Sequence, residues 1–217
     1  MPPLPRRLAL PAGRRPSVRQ QHSALKFRNI LDAAKKIFAT KGFHEAKITD
    51  IAREANVASG TIYLYFKNKD DILIKLFEEA VAEITAAVQA AMADAGDASE
   101  RLNLFCASYL EHVGADKYLA ELIYMEMDPI KKFVPRYCER HFQKLIAILV
   151  AIIEDGVASG YFRKGVVPSL SARMIFCSLN ETCIYLHTCS SGLQGAKLET
   201  FIDSAFFLGL NPDTPVA

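Results

Sequence analysis

Residues 47–69 hold the densest run of groups suited to gripping a phosphate backbone. Lys47, Thr49, Ser59, Thr61, Tyr63, Tyr65 and Lys69 offer ammonium and hydroxyl donors, and Gly60 leaves bare main chain among them. No carboxylate occurs from Asn56 to Lys69. Hydroxyls, amines and exposed main-chain N–H groups are what proteins turn towards the phosphates of duplex DNA, and short side chains admit a helix to the major groove. Other chemistry finds little footing. His22, His44, His112, His141 and His187 are scattered, no H-E-x-x-H occurs, and there is no glycine-rich phosphate loop. Cys106, Cys138, Cys177, Cys183 and Cys189 are odd in number and include no C-x-x-C pair, which argues against a zinc finger or a disulfide framework. They read as small buried apolar residues in a reducing cytoplasm, with a redox-sensing thiol as the alternative. The expectation is a protein with no catalytic residues, no metal and no cofactor.

The charge distribution agrees. The chain of 217 residues has a formal net charge of only +2, but residues 1–69 hold fourteen Lys and Arg against Asp32, Glu45, Asp50 and Glu54. The remainder is therefore acidic. A basic N-terminal third on an acidic body suits a polyanion-binding module joined to a separate unit. Residues 1–22, with five prolines and five arginines, read as a disordered basic tail, either plain or serving as a minor-groove arm. The longest apolar run, 145–153, is closed by Glu154 and Asp155. It falls short of the roughly 18 residues a bilayer span requires. With no export signal, a cytoplasmic location and no membrane partner are expected.

The elements that position the donors follow from apolar period. Ala24, Phe27, Ile30, Leu31, Ala34, Ile37 and Phe38 recur at steps of three and four, which predicts a helix over 23–40 ended by Gly42. Thr49 is the expected N-cap of a short helix whose apolar face is Ile51, Ala52 and Ala55, closed by Asn56. A third short helix runs from Ala58 or Ser59 to Tyr65. The two short helices and the tight turn between them, within 48–66, form a helix-turn-helix. A long helix is expected from Asn68 or Lys69 to Ala95, then helices over 99–114, 117–127, 129–160, 168–190 and 196–210. The fold class is all-α with about nine helices. Residues 23–69 form the DNA-binding domain, and 70–217 a second helical domain.

Here the residues resemble a known family. Ala33-Ala34, Phe38, Lys41-Gly42-Phe43, Thr49, Ile51-Ala52, Ala55, Val57 and the block from Gly60 to Leu73 (GTIYLYFKNKDDIL) are similar to the TetR family of transcriptional regulators. One departure is Asn56, where many members have Gly; Asn also tolerates the left-handed conformation. The resemblance implies a homodimer on a palindromic operator in double-stranded DNA. It implies that Thr49 binds phosphate with Lys47 as helper, that Ser59, Gly60, Thr61 and Tyr63 face the groove and its rim, and that Tyr65 and Lys69 hold phosphates.

The resemblance also implies a C-terminal ligand cavity and a dimer interface made by the last two helices. The interface stripes would be Ile175, Leu179, Cys183 and Leu186 on one helix and Phe201, Ile202, Ala205 and Phe206 on the other. The same stripes would serve as intramolecular core. Phe77, Phe105, Tyr109, Tyr124, Phe142, Leu145, Phe176 and Asn180 are the candidates to line an apolar cavity, although each taken singly is ordinary core. Residues 61–77, 172–176 and 180–182 are similar to the FadR-type branch, which represses fatty-acid degradation and is released by long-chain acyl-CoA. Lys131 and Arg136, with Lys132 and Arg140, would then meet the CoA phosphates at the mouth, or form a solvated basic stretch. A drug-responsive repressor of an efflux pump is the alternative, and an all-α lipid carrier or enzyme the remote one.

Overall fold

The computed structural model describes residues 18–127, 138–188 and 210. The tail 1–17, the segment 128–137 with Lys131 and Arg136, and the last expected helix with Phe201, Ile202, Ala205 and Phe206 lie outside the described residues.

The described elements are all helical: α1 (Val18–Lys41), α2 (Ile48–Glu54), α3 (Ser59–Ile62), α4 (Lys69–Ala91), α5 (Ala98–Gly114), α6 (Lys117–Met127), α7 (Cys138–Ser159) and α8 (Pro168–Thr188). The first begins five residues before the expected start, inside the stretch read as tail. Its buried stripe is Ile30, Leu31, Ala33, Ala34, Ile37 and Phe38. Gly42 ends it at φ +78, its N–H donating to Phe38 O at 2.9 Å, so a left-handed glycine closes the last turn.

α2 starts differently from expectation. Its N-cap is Lys47, so Thr49 sits inside the first turn. The Asp50 carboxylate, at the third helical position, accepts from the Lys47 N–H at 3.3 Å and so closes the turn on the cap. Asn56 turns the chain at φ +53, and the Val57 N–H donates to Ala52 O at 2.9 Å. α3 is one turn long and does not reach Tyr65 as a regular helix. Tight turns carry the chain on, with the N–H groups of Tyr65 and Phe66 both donating to Ile62 O at 3.0 Å.

Two side chains close the N-terminus of α4. Asn68 Oδ1 accepts from the Asp71 N–H at 2.8 Å, while Asp71 Oδ2 accepts from the Lys67 N–H at 2.9 Å. The helix stops at Ala91, a turn short of the expected Ala95. Its buried side chains Ile72, Leu73, Leu76, Phe77, Val81, Ile84 and Val88 form one stripe along its whole length. α4 therefore belongs to both halves of the molecule: it packs on α1 and also on α5 and α7. α8 packs against α5, α6 and α7. Where α7 ends, Gly156 lies flat against the Phe162 ring, and a Cβ at Gly156 would overlap that ring. Among the described residues no helix is long and apolar enough to cross a membrane.

Candidate nucleic-acid interface and regulatory core

The three-helix N-terminal unit is stiff. Ile30, Ala34, Phe38, Ile51, Ala52, Ile62 and Phe66 are buried together, and Phe27 stacks on Phe66 with centroids 5.0 Å apart. Fully burying the isoleucines and phenylalanines among them stabilises by about 1.5–3 kcal/mol each. Two ion pairs tie α1 to α2, Lys36 to Glu54 at 2.5 Å and Lys41 to Asp50 at 3.0 Å. The Lys41 hydrogen bond holds the Asp50 carboxyl below its ordinary range.

On that frame Lys47, Thr49, Gly60 and Tyr63 are exposed, and Ser59, Thr61 and Tyr65 are half-buried. The Tyr65 hydroxyl accepts from Ser23 Oγ at 3.3 Å, which links it to α1. Lys69 is the exception to the expected phosphate clamp. Its Nζ donates to the main-chain oxygens of Phe43 at 2.5 Å, His44 at 3.0 Å and Ala46 at 3.0 Å, and lies 4.5 Å from the Phe43 ring centroid. An ammonium has three protons, and three carbonyls take them. Lys69 is a brace between the α1–α2 loop and the start of α4, not a free cation. Two exposed residues were passed over by the sequence reading, Leu64 and Lys67. The signal that finds them is their place within the carboxylate-free run from Asn56 to Lys69.

The residues expected to line a cavity divide. Phe77, Phe105, Tyr109, Phe142, Leu145, Phe176 and Asn180 are all buried. The aromatic rings among them touch in series: Phe77 to Phe142 at 5.8 Å, Phe142 to Phe176 at 5.8 Å, Phe176 to Tyr109 at 5.6 Å and Tyr109 to Phe105 at 6.3 Å. At the centre the Tyr109 hydroxyl donates to Asn180 Oδ1 at 2.8 Å, and Asn180 Nδ2 donates to Phe176 O at 2.6 Å. Burial raises the Tyr109 hydroxyl well above its ordinary pKa, so it stays protonated as a donor. Tyr124 does not join them; it stands 41% exposed. A cavity of about 240 Å³ opens elsewhere, at the junction of α1, α4 and the α5–α6 turn, lined by Arg28, Lys35, Glu79, Glu83, His112 and Asp116 among others.

The interface stripe on α8 also needs correction. Ile175, Leu179 and Cys183 are buried within the protomer and Leu186 is half-buried, its Cδ1 lying 3.7 Å from where a Cβ on Gly114 would stand. The opposite face of α8 carries Leu170, Met174, Cys177 and Tyr185, all exposed. Burial pushes the thiols of Cys106 and Cys183 up to about 12, so both are inert thiols of the core.

Comparison with known proteins bears on these features. Residues 30–76 match the family described as bacterial regulatory proteins, tetR family, and residues 77–186 match the YsiA-like protein C-terminal region. A curated relative, the fatty acid metabolism regulator protein of Bacillus subtilis, is 32% identical over 157 residues, covering 72% of this chain and 81% of its own. Among solved structures, FadR from Bacillus subtilis in complex with stearoyl-CoA superposes with a TM-score of 0.74 at 28% identity, covering 86% of this chain and 98% of its own. The fatty acid degradation regulator FadR from Bacillus halodurans gives 0.73 at 28% identity, covering 84% and 93%.

Proposed function

The chain belongs to the TetR family of bacterial regulatory proteins, and from that premise we propose that it is a homodimeric repressor of fatty-acid metabolism genes, released from a palindromic operator by a long-chain fatty acyl-CoA. The observation that carries the ligand is the continuous apolar cluster of Phe77, Phe105, Tyr109, Phe142, Leu145 and Phe176, in a chain similar to a protein solved with stearoyl-CoA. An acyl chain needs a long apolar lining with few polar groups. Opening this cluster supplies it, with the Tyr109–Asn180 pair as its polar point. Lys131 and Arg136 stand in the segment before α7 and are assigned to the CoA phosphates.

DNA is held by Lys47 and Thr49 from α2 and by Ser59, Gly60, Thr61, Tyr63 and Tyr65 from α3 and the turn after it. Lys69 acts behind them by fixing the loop that presents α2. A two-fold dimer sets the recognition helices roughly 34–36 Å apart, one turn of duplex. The exposed α8 face and the segment 196–210 form the dimer contact.

Release follows from the path of α4. The helix begins at the Lys69 brace, and about two turns further on it carries Phe77 into the cluster. A ligand that parts Phe77 from Phe142 displaces α4 as a unit, and with it the α2–α3 pair. For this to shift the equilibrium, the ligand binds the open form more tightly than the operator-bound form. The experiment is operator binding by the purified dimer during titration with acyl-CoAs of increasing chain length. Release that strengthens with chain length is expected; DNA binding indifferent to every acyl-CoA overturns the ligand assignment while leaving the family and its operator binding intact.

A further inference from the structure

The outward face of α3 and its following turn carries one side chain that phosphate contact leaves without a role. Leu64 is 81% exposed, more than any other large apolar side chain among the described residues. Gly60, Tyr63, Leu64 and Lys67 are exposed, while Ile62 and Phe66 between them are buried. α3 ends at Ile62, and in the tight turns that follow Ile62 and Phe66 point inward while Tyr63, Leu64 and Lys67 are turned to solvent. The turn fixes the position: the Leu64 N–H donates to Thr61 O at 3.2 Å, and the next residue is bonded to Ile62 O at 3.0 Å. Leu64 is thus held out on a rigid platform, between a tyrosine and a lysine, on the face that meets DNA.

An isobutyl group has no donor or acceptor and cannot grip a phosphate. In the major groove, the apolar group that a base edge offers is the C5 methyl of thymine. We propose that Leu64 is a specificity-determining residue that packs on a thymine methyl in each half-site of the operator. The inference rests on the DNA-binding reading above and deepens it. It makes one thymine per half-site a requirement that no hydrogen bond reports.

The test begins with the full-length chain and a pool of random duplexes, from which its preferred operator is enriched. Each thymine is then replaced in turn by uracil at both half-sites, which deletes the C5 methyl and keeps every hydrogen-bonding group. Wild type is expected to lose about fourfold in affinity per half-site at one thymine position, the effect of removing one buried methyl group. L64A, whose surface position should leave its Tm unchanged, is expected to bind the natural operator more weakly and to be indifferent to uracil at that position. If L64A keeps the wild-type uracil profile, or weakens equally on every duplex, the leucine assignment is overturned. If wild type enriches no sequence at all, the operator reading itself falls, and this inference with it.

Discussion

Lys35 Nζ lies 2.5 Å from Asp116 Oδ2, and the two residues belong to different halves of the molecule. Lys35 projects from α1 of the DNA-binding unit. Asp116 precedes α6, where its Oδ1 also accepts from the N–H groups of Tyr118 at 3.0 Å and Leu119 at 3.1 Å. A single carboxylate therefore starts α6 and anchors α1. The side chains are 22% and 30% exposed. Burial works against both charges, yet the hydrogen bond between them prevails: Lys35 is held above its ordinary pKa and Asp116 below its own. The pair fixes how the DNA-binding unit sits on the regulatory body, beside the cavity at their junction.

Removing that carboxylate should cost both roles. Asp116→Ala is expected to lower the unfolding free energy by about 1–2 kcal/mol, the sum of a lost helix cap and a partly buried ion pair. The pH dependence has a definite sign. Asp116 has a lower pKa folded than unfolded, so its contribution is present above the unfolded value of about 3.9 and is lost as pH falls through the folded one. Lys35 is raised on folding, so its contribution holds up to about pH 10 and is lost above that. Urea titrations of wild type and variant should differ by a constant amount from about pH 5 to 9 and converge towards pH 2. A gap that persists undiminished in acid would contradict the assignment.

Lys69 offers a contrast between a brace and a phosphate clamp. Lys69→Met leaves three carbonyls without their charged donor, and a stability loss of about 2–3 kcal/mol is expected. A lysine that neutralises a phosphate instead reveals itself in salt dependence, lowering the slope of log affinity against log salt by about one when removed. The slope should be unchanged in Lys69→Met and reduced in Lys67→Ala, whose side chain is exposed on the outward face. The reverse pattern would restore Lys69 to the phosphate-binding set.

Periodicity carried the sequence reading furthest where one face of a helix meets one environment. The stripe of α1 from Ile30 to Phe38 was legible, as were the left-handed positions at Gly42 and Asn56, because each depends on residues close by in the chain. Lys69 was not legible as a brace, since its three acceptors lie 23 to 26 residues earlier in the chain. The start of α2 misled for a related reason. A threonine is a good cap in isolation, but Asp50 reaches the Lys47 N–H from the third helical position and moves the cap back. α8 has two apolar faces, and period alone does not say which one meets its own protomer. The family resemblance implies that Ile175, Leu179 and Cys183 meet a partner, whereas the same stripe serves equally as core, and it is the protomer's core that they fill.

That correction changes which substitution should separate the protomers. Met174→Asp places a charge on the exposed α8 face and is expected to shift the protein to monomer at micromolar concentration, with its Tm little changed below the dissociation range. Cys183→Ala should do the opposite, leaving the oligomeric state intact while costing each protomer about 1–2 kcal/mol through lost packing. Sedimentation velocity with thermal unfolding distinguishes them. A dimer unaffected by Met174→Asp would place the contact elsewhere than this face of α8.

The Tyr109–Asn180 hydrogen bond joins α5 to α8 inside an otherwise apolar cluster, with Tyr109 wholly buried and Asn180 3% exposed. Its worth is best read from three variants. Tyr109→Phe strands the Asn180 oxygen without a donor, and a buried acceptor left unsatisfied costs about 1–3 kcal/mol. Asn180→Leu strands the tyrosine hydroxyl and should cost a similar amount. Removing both partners leaves nothing unsatisfied at the centre, so the double variant is expected to be more stable than the sum of the single losses implies, by about 1 kcal/mol or more. Losses that simply add would mean that the two groups do not depend on one another. The double variant also separates stability from ligand chemistry. If the pair is the polar point that an entering acyl chain displaces, a fully apolar centre opens with less loss of hydrogen bonding, and acyl-CoA should release the double variant from its operator at lower concentration than wild type.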